Sequence, residues 1–343
     1  MRLFRRPRRS CSAWPLSFSI VATAAFCLSL ASPAARVQEP IRNSSELVKL
    51  DVSVLDKRGD FAGGLNRTDF RLLDNGVEKP VQYFLPVDSP VRVLILIETG
   101  PAVYLIHEQH MLALASLLDG LGPSDQAALV AYDDATHPVL DFTSNKKALL
   151  DAISDARFRI GTGDLNFYDS LSSVLDSLAS SSGKKAIVLV STGLDSSPPS
   201  RWDSLVNRLR WDDVVIYSVG LGGSLRDSAP QPKSKKSKHA AAPPPSVGQS
   251  AFANATTALL SIARITGGRT YFPQSETDFP PAYAEIAAAL RHQYVLGISP
   301  DHDGNYHSLT VQVLDRRGQP PKADDKSPEF RPLYREGYQA PAP

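Results

Sequence analysis

The sequence predicts an α/β fold: a doubly wound, mainly parallel sheet flanked by helices, with a small accessory β domain made from the N- and C-terminal segments. Three observations predict it. Apolar, β-branched runs such as Val91 to Ile97 are unbroken enough to be strands covered on both faces. Between such runs lie segments whose apolar residues recur at helical spacing. Before and after this alternating region the apolar residues fall on every second position, as in half-buried strands. Strands that alternate with helices imply parallel pairing, because each crossover needs a helix to carry the chain back.

Residues 1–34 read as a secretory leader. Arg2, Arg5, Arg6, Arg8 and Arg9 form a positive head, an apolar run from Trp14 to Leu30 follows, and Ala31-Ser32-Pro33-Ala34 supplies small residues for cleavage after Ala34. An uncleaved anchor is the alternative, but Pro15 and several serines interrupt a run that is already short for a span. Both cysteines, Cys11 and Cys27, lie inside this segment. The mature chain therefore has no disulfide, thiolate nucleophile or cysteine metal site. Losing five arginines turns a formal charge of +1 mildly acidic, and nothing favours nucleic acid. The roughly 300 residues that remain suffice for one medium domain and one small one. Their expected location is the periplasm or the extracellular medium, with membrane contact only during export.

Residues 45–88 form the N-terminal β segment. Val48, Leu50, Val52 and Val54 share one strand face, and Phe70 to Leu73 leads into the turn Asp74-Asn75-Gly76 and a further strand through Val81 and Tyr83. Residues 91–292 form the doubly wound domain. After the first strand, a helix at Tyr104 to Leu121 carries Leu112, Leu114, Leu117 and Leu118. Strands at Ala127 to Tyr132 and Pro138 to Phe142 precede helices at Lys146 to Ala156 and Phe167 to Leu178. Strands at Ala186 to Val190 and Val214 to Leu221 enclose a helix with Trp202, Leu205 and Leu209. Residues 222–249, rich in Pro, Ser, Ala and Lys, bury too little apolar area to fold and read as a disordered insertion. A helix from Ala253 to Ile265 ends at Gly267-Gly268, and a short strand and a helix at Ala282 to Arg291 follow. Residues 293–340 form the C-terminal β segment: strands at Tyr294 to Ile298 and Leu309 to Val313, then Leu333 to Tyr338, which can pair with the N-terminal strands.

The order of Val91 to Gly100, Tyr132-Asp133-Asp134, Asp141-Phe142-Thr143, Phe167 to Leu171 and Val188 to Asp195 resembles a von Willebrand factor type A (VWA) domain. Thr68-Asp69-Phe70, Asp74-Asn75-Gly76, Tyr294 to Gly297 and Arg335 to Tyr338 are similar to segments of VWFA-related proteins of the acidobacterial type. The resemblance runs from about Val48 to the end, apart from the insertion, and its specificity lies in the order of individually weak motifs. It implies a metal-ion-dependent adhesion site at the carboxyl ends of the strands, where Asp-x-Ser-x-Ser, a Thr and a late Asp hold a divalent ion. Here those positions are Glu98, Gly100, Ala102, Leu165 and Thr192. Only Glu98, Thr99, Thr192 and Asp195 offer side-chain oxygens, whereas a hard cation takes about six.

The expectation is therefore a degenerate site and no cofactor, with weak Mg, Mn or Ca binding left open. Partner-binding positions are Glu98, Thr99, Gly100, Ala102, Leu165, Thr192 and Asp195, and the partner is an unknown protein or a cell-envelope polymer. Two alternatives stay open: a metal-bridged adhesin with a weak divalent site, and a small-molecule binder or hydrolase in the same crevice. No catalytic residue stands out. Val190-Ser191-Thr192-Gly193 lacks a nucleophile elbow, and no histidine is placed as a base. His107-Glu108-Gln109-His110 has histidines three apart where a zinc protease needs four. His302, His307, Asp301 and Asp303 could clip a metal, but a solvated hairpin is the simpler reading. Gly161-Thr162-Gly163 has some anion-binding potential at a helix start.

Overall fold

The computed structural model describes residues 47–87, 89–100, 107–155, 164–181, 183–223, 247–322 and 328–342. The leader, Ala102, Gly161-Thr162-Gly163 and residues 224–246 of the insertion lie outside them, as do the side chains of the His107 to His110 motif.

The central layer is a six-stranded sheet. Its strands are β5 (Val91–Glu98), β6 (Gln126–Tyr132), β7 (Thr136–Thr143), β8 (Lys184–Ser191), β9 (Val215–Gly220) and β10 (Thr270–Tyr271), in the order β10-β9-β8-β5-β6-β7. All pairs are parallel except the β6–β7 hairpin at one edge. Period-2 alternation in β5 sends Val93, Ile95 and Ile97 to one face and Leu94 and Leu96 to the other. The first face packs on α1 (His107–Gly120), through Leu114, Leu117 and Leu118, and on α6 (Phe279–Arg291), through Tyr283, Ile286 and Leu290. The second packs on α3 (Phe167–Ala179), α4 (Pro199–Leu209) and α5 (Val247–Thr266) through Phe167, Leu171, Leu205, Leu209, Leu259 and Ile262. The helix α2 (Lys146–Asp155) buries Leu149 and Ile153. These are the two covered faces that make the strand sequences almost wholly apolar. The helix expected from Ala253 begins at Val247, so the last three residues assigned to the insertion are helical.

The accessory β domain contains two sheets. One has the order β13-β1-β11-β4, from β13 (Phe330–Leu333), β1 (Val48–Asp56), β11 (Gln293–Ile298) and β4 (Tyr83–Leu85). The other has the order β14-β12-β2-β3, from β14 (Gly337–Gln339), β12 (Tyr306–Val313), β2 (Phe70–Asp74) and β3 (Val77–Lys79). Leu50, Val52, Val54, Phe70, Leu72, Tyr294, Leu296, Leu309 and Val311 fill the space between them. The β2–β3 hairpin turns on Asn75 (φ 48°) and Gly76 (φ 83°), both in the left-handed region that an Asn-Gly pair tolerates. The segment expected to pair as one piece with the N-terminal strands divides: β13 pairs with β1, while β14 pairs with β12.

Candidate functional site

In open parallel sheets, ligands bind beyond the carboxyl ends of the strands. Here that end carries Glu98 on β5, Tyr132 on β6 and Ser191 on β8. Register fixes their neighbourhood: Glu98 lies opposite Tyr132, and Ile97 opposite Val190, which sets Ser191 beside the carboxylate. The Glu98 side chain is wholly buried, and donors from two neighbouring strands surround it. Its Oε2 accepts hydrogen bonds from the Thr192 amide at 2.7 Å, the Thr192 hydroxyl at 2.8 Å, the Ser191 hydroxyl at 3.0 Å and the Tyr132 hydroxyl at 3.1 Å. The Thr192 hydroxyl also lies 3.0 Å from Oε1. Burial pushes the carboxyl's pKa up, and the donors from Thr192, Ser191 and Tyr132 only partly oppose that. Burial also raises the Tyr132 phenol well above its ordinary value, so it serves as a neutral donor.

The other predicted positions are placed as follows. Thr99 is turned toward β6, its amide (2.8 Å) and hydroxyl (3.1 Å) both donating to the Tyr132 carbonyl. A Cβ on Gly100 would meet Leu165 Cδ2 at 2.7 Å, so the leucine fills the space a serine there would occupy. Asp195 is committed to helix and turn: its Oδ2 accepts from the Tyr168 amide at 2.8 Å and its Oδ1 from the Ser197 amide at 2.6 Å. The Asn166 side chain does not cap α3, and Asp195 reaches across from the β8–α4 loop to do so, where a carboxylate suits the positive end of the helix. The loops are tied together by Ser196 N to Leu165 O (2.8 Å), Leu165 N to Ser196 Oγ (3.2 Å) and Asn166 Nδ2 to Asp134 O (2.6 Å).

This donor set does not fit a divalent ion. Both Glu98 oxygens already hold the chain's own N–H and O–H groups, Asp195 is spent on amides, and Leu165 and Gly100 bring no oxygen. Ser191 is equally unsuited to nucleophilic attack, for its oxygen accepts from the Gly193 amide at 2.7 Å, lies 2.6 Å from the Tyr132 hydroxyl and is fully buried. Glu98, Thr99, Thr192 and Leu165 are all buried, which corrects the expectation of them as a contact surface. They form a floor. The exposed rim above it carries Asp134, Asp164 and Ser196. Tyr132 and Ser191 were not among the predicted site residues. The signal that finds them is an acidic residue ending one buried strand with hydroxyl residues ending both neighbours.

A second polar cluster corrects the reading of a solvated hairpin. His307, in β12, is buried; its Nδ1 lies 2.6 Å from Asp74 Oδ1 and its Nε2 3.1 Å from Asp303 Oδ1, while the Tyr338 hydroxyl donates to Asp74 Oδ2 at 2.8 Å. Burial opposes the imidazolium, but the two carboxylates outweigh it and raise the histidine's pKa. Asp301 is taken by Lys79 at 2.7 Å. The cluster braces β2, β12 and β14 against one another.

Residues 108–261 match the family model described as von Willebrand factor type A domain, a match that begins beyond the strand carrying Glu98. No curated protein sequence matches the chain. Among solved structures, an aerotolerance-related membrane protein from Bacteroides fragilis is 14% identical, covering 58% of this chain and 98% of its own, with a TM-score of 0.44. The von Willebrand domain of a type V pili tip protein from Porphyromonas gingivalis is 12% identical, covering 58% and 94%, with a TM-score of 0.42. A von Willebrand factor type A protein from Catenulispora acidiphila is 10% identical, covering 85% and 75%, also at 0.42. Likeness at that level carries no functional argument. The family match, on a doubly wound sheet of the matching architecture, places a von Willebrand factor type A domain in this chain.

Proposed function

We propose that the chain is an exported, non-catalytic binding module that docks a protein partner on the carboxyl face of its VWA sheet without a bridging metal ion. One observation carries this reading: the acidic side chain at the family's ion position is saturated by Tyr132, Ser191 and Thr192 instead of being left open for a cation. A face of this kind recognises by shape and by its rim, where Asp134 and Asp164 offer carboxylates and Ser196 a hydroxyl to a basic or amide-rich partner surface. Export is supported by the arginine-headed apolar leader with its small-residue cleavage segment. Among the described residues no helix is long and apolar enough to cross a membrane.

The test pairs two measurements on the purified chain. Calorimetric titration of Mg, Mn and Ca into chelator-treated protein is expected to give no saturable heat. A photo-crosslinker placed at Asp164 is expected to capture the same envelope protein with and without EDTA, and Asp134→Arg is expected to abolish the adduct. Saturable ion binding tighter than about millimolar, lost in Glu98→Ala, would restore a metal-bridged adhesin. An adduct indifferent to Asp134→Arg would move the interface elsewhere.

A further inference from the structure

At the opposite end of the sheet, where β9 begins, the α4–β9 loop meets the accessory domain along an open groove of about 570 Å³. Its walls include Lys49, Tyr83, Arg210, Trp211 and Arg335. Trp211 is 50% exposed, and Tyr306 is 46% exposed, with the Arg210 guanidinium 5.3 Å from its ring centroid. A half-exposed indole in the wall of a groove, next in sequence to an arginine in that same wall, offers a ligand a ring face and a cation together.

The charges indicate the sign of that ligand. Both carboxylates that line the groove are already paired: Asp212 with Arg208 at 3.0 Å, a guanidinium it shares with Asp176, and Asp213 with Lys49 at 3.3 Å and with Lys185. Behind the wall, burial and the neighbouring Asp213 push Asp51 up to about 7, which removes part of its negative charge near neutrality. Arg335 is 4% exposed, donates to the Asp212 carbonyl at 2.9 Å and has no partner for Nε. Arg210 makes no ion pair among the described residues. The groove is thus a cationic one with ring faces. A planar fork-shaped cation and an exposed indole in the walls of one groove match a sugar ring that carries a carboxylate: the apolar C–H face of the ring lies on the indole, and the carboxylate meets the guanidinium. We propose that this groove binds an acidic, uronate-containing polysaccharide, with Trp211 as the stacking platform and Arg210 as the carboxylate partner. The site is independent of the docking face at the other end of the sheet.

Tetragalacturonate, its methyl-esterified form and hexaglutamate are titrated into the purified chain, followed by calorimetry and tryptophan fluorescence. Tetragalacturonate is expected to bind and perturb the emission. The esterified form, Trp211→Ala and Arg210→Gln are each expected to weaken binding by about tenfold, and Arg210→Gln to flatten its salt dependence. Both substitutions are at partly exposed positions, and unchanged circular dichroism would show that the variants are folded. Absence of tetragalacturonate binding, or binding indifferent to both substitutions, would overturn the proposal. Hexaglutamate binding as tight as the sugar acid would also overturn it, in favour of an acidic peptide.

Discussion

Removing the Glu98 side chain distinguishes a structural acid from an ion-binding one. In a metal site stripped of its ion, an acidic ligand is a liability, and its loss is neutral or stabilising. In the arrangement found here, Glu98→Ala removes the acceptor that the buried Thr192 amide has at 2.7 Å, at a cost of about 1–3 kcal/mol. It also deletes one buried methylene, worth about 0.8 kcal/mol. Tyr132 and Ser191 keep each other at 2.6 Å, and relief of the carboxylate's desolvation gives something back. The net expectation is a loss of about 2 kcal/mol, or about 3 °C in Tm for a chain of this size. Glu98→Gln should behave differently. Nearly all donors converge on Oε2, so an amide oxygen can take that place, while the amide nitrogen faces a Thr192 hydroxyl able to accept. Its cost should stay within about 1 kcal/mol. Urea and thermal unfolding of the three proteins in EDTA provide the assay. If Glu98→Ala matches or exceeds the wild type there, or Glu98→Gln is as damaging as Glu98→Ala, the reasoning is refuted.

Further outcomes are expected elsewhere in the molecule. Asp51 has an ordinary pKa of 3.8 in the unfolded chain and about 7 in the fold, so between these values the folded state binds more protons and stability falls as pH rises. Asp51→Asn should remove a slope of the order of 1 kcal/mol per pH unit between about pH 4 and 7, read from the difference between paired urea titrations. His307 has a raised folded pKa, so its stabilising contribution is complete below its unfolded value and is lost as pH climbs through the folded one; His307→Gln should flatten stability on the alkaline side of 6.5. Tyr338→Phe deletes the buried hydroxyl on Asp74 and should cost about 1.5–3 kcal/mol in urea unfolding. Gly268→Ala puts a Cβ 1.9 Å from the Ile216 carbonyl, a backbone clash at the α5–β10 corner, and should cost more than about 4 kcal/mol or yield no soluble protein.

The α/β layer was legible because its central strands β5, β6, β8 and β9 are buried on both faces and helices such as α3 carry one apolar stripe, so period and composition agree there. The accessory domain was legible as β segments but not as two sheets. Its pairings join Val48 to Ile298 and Phe70 to Val313, and partners so distant in sequence leave no local trace. The candidate site divides along the same line. Glu98 announced itself as an acid ending an apolar strand. Its donors did not, because Tyr132 and Ser191 reach it only through the register of three parallel strands. Asp195 followed a strand, as an ion ligand would, yet it serves a helix whose start is separated from it by nearly thirty residues of chain. His307 was misread because a turn rich in Asp and Gly looks solvated, and only the return of β14 closes over it.

The strands β4 and β11 bracket the entire α/β layer in sequence, and they lie side by side as a hydrogen-bonded pair, Leu85 opposite Val295. The layer is therefore suspended from two adjacent strands of a sheet to which both the first and the last described segments contribute. The pairing of β4 with β11 thus clamps the two ends of the layer together with main-chain hydrogen bonds. Separating the layer's entry from its exit requires breaking that pairing, so the layer is held shut by a sheet to which its own strands do not belong.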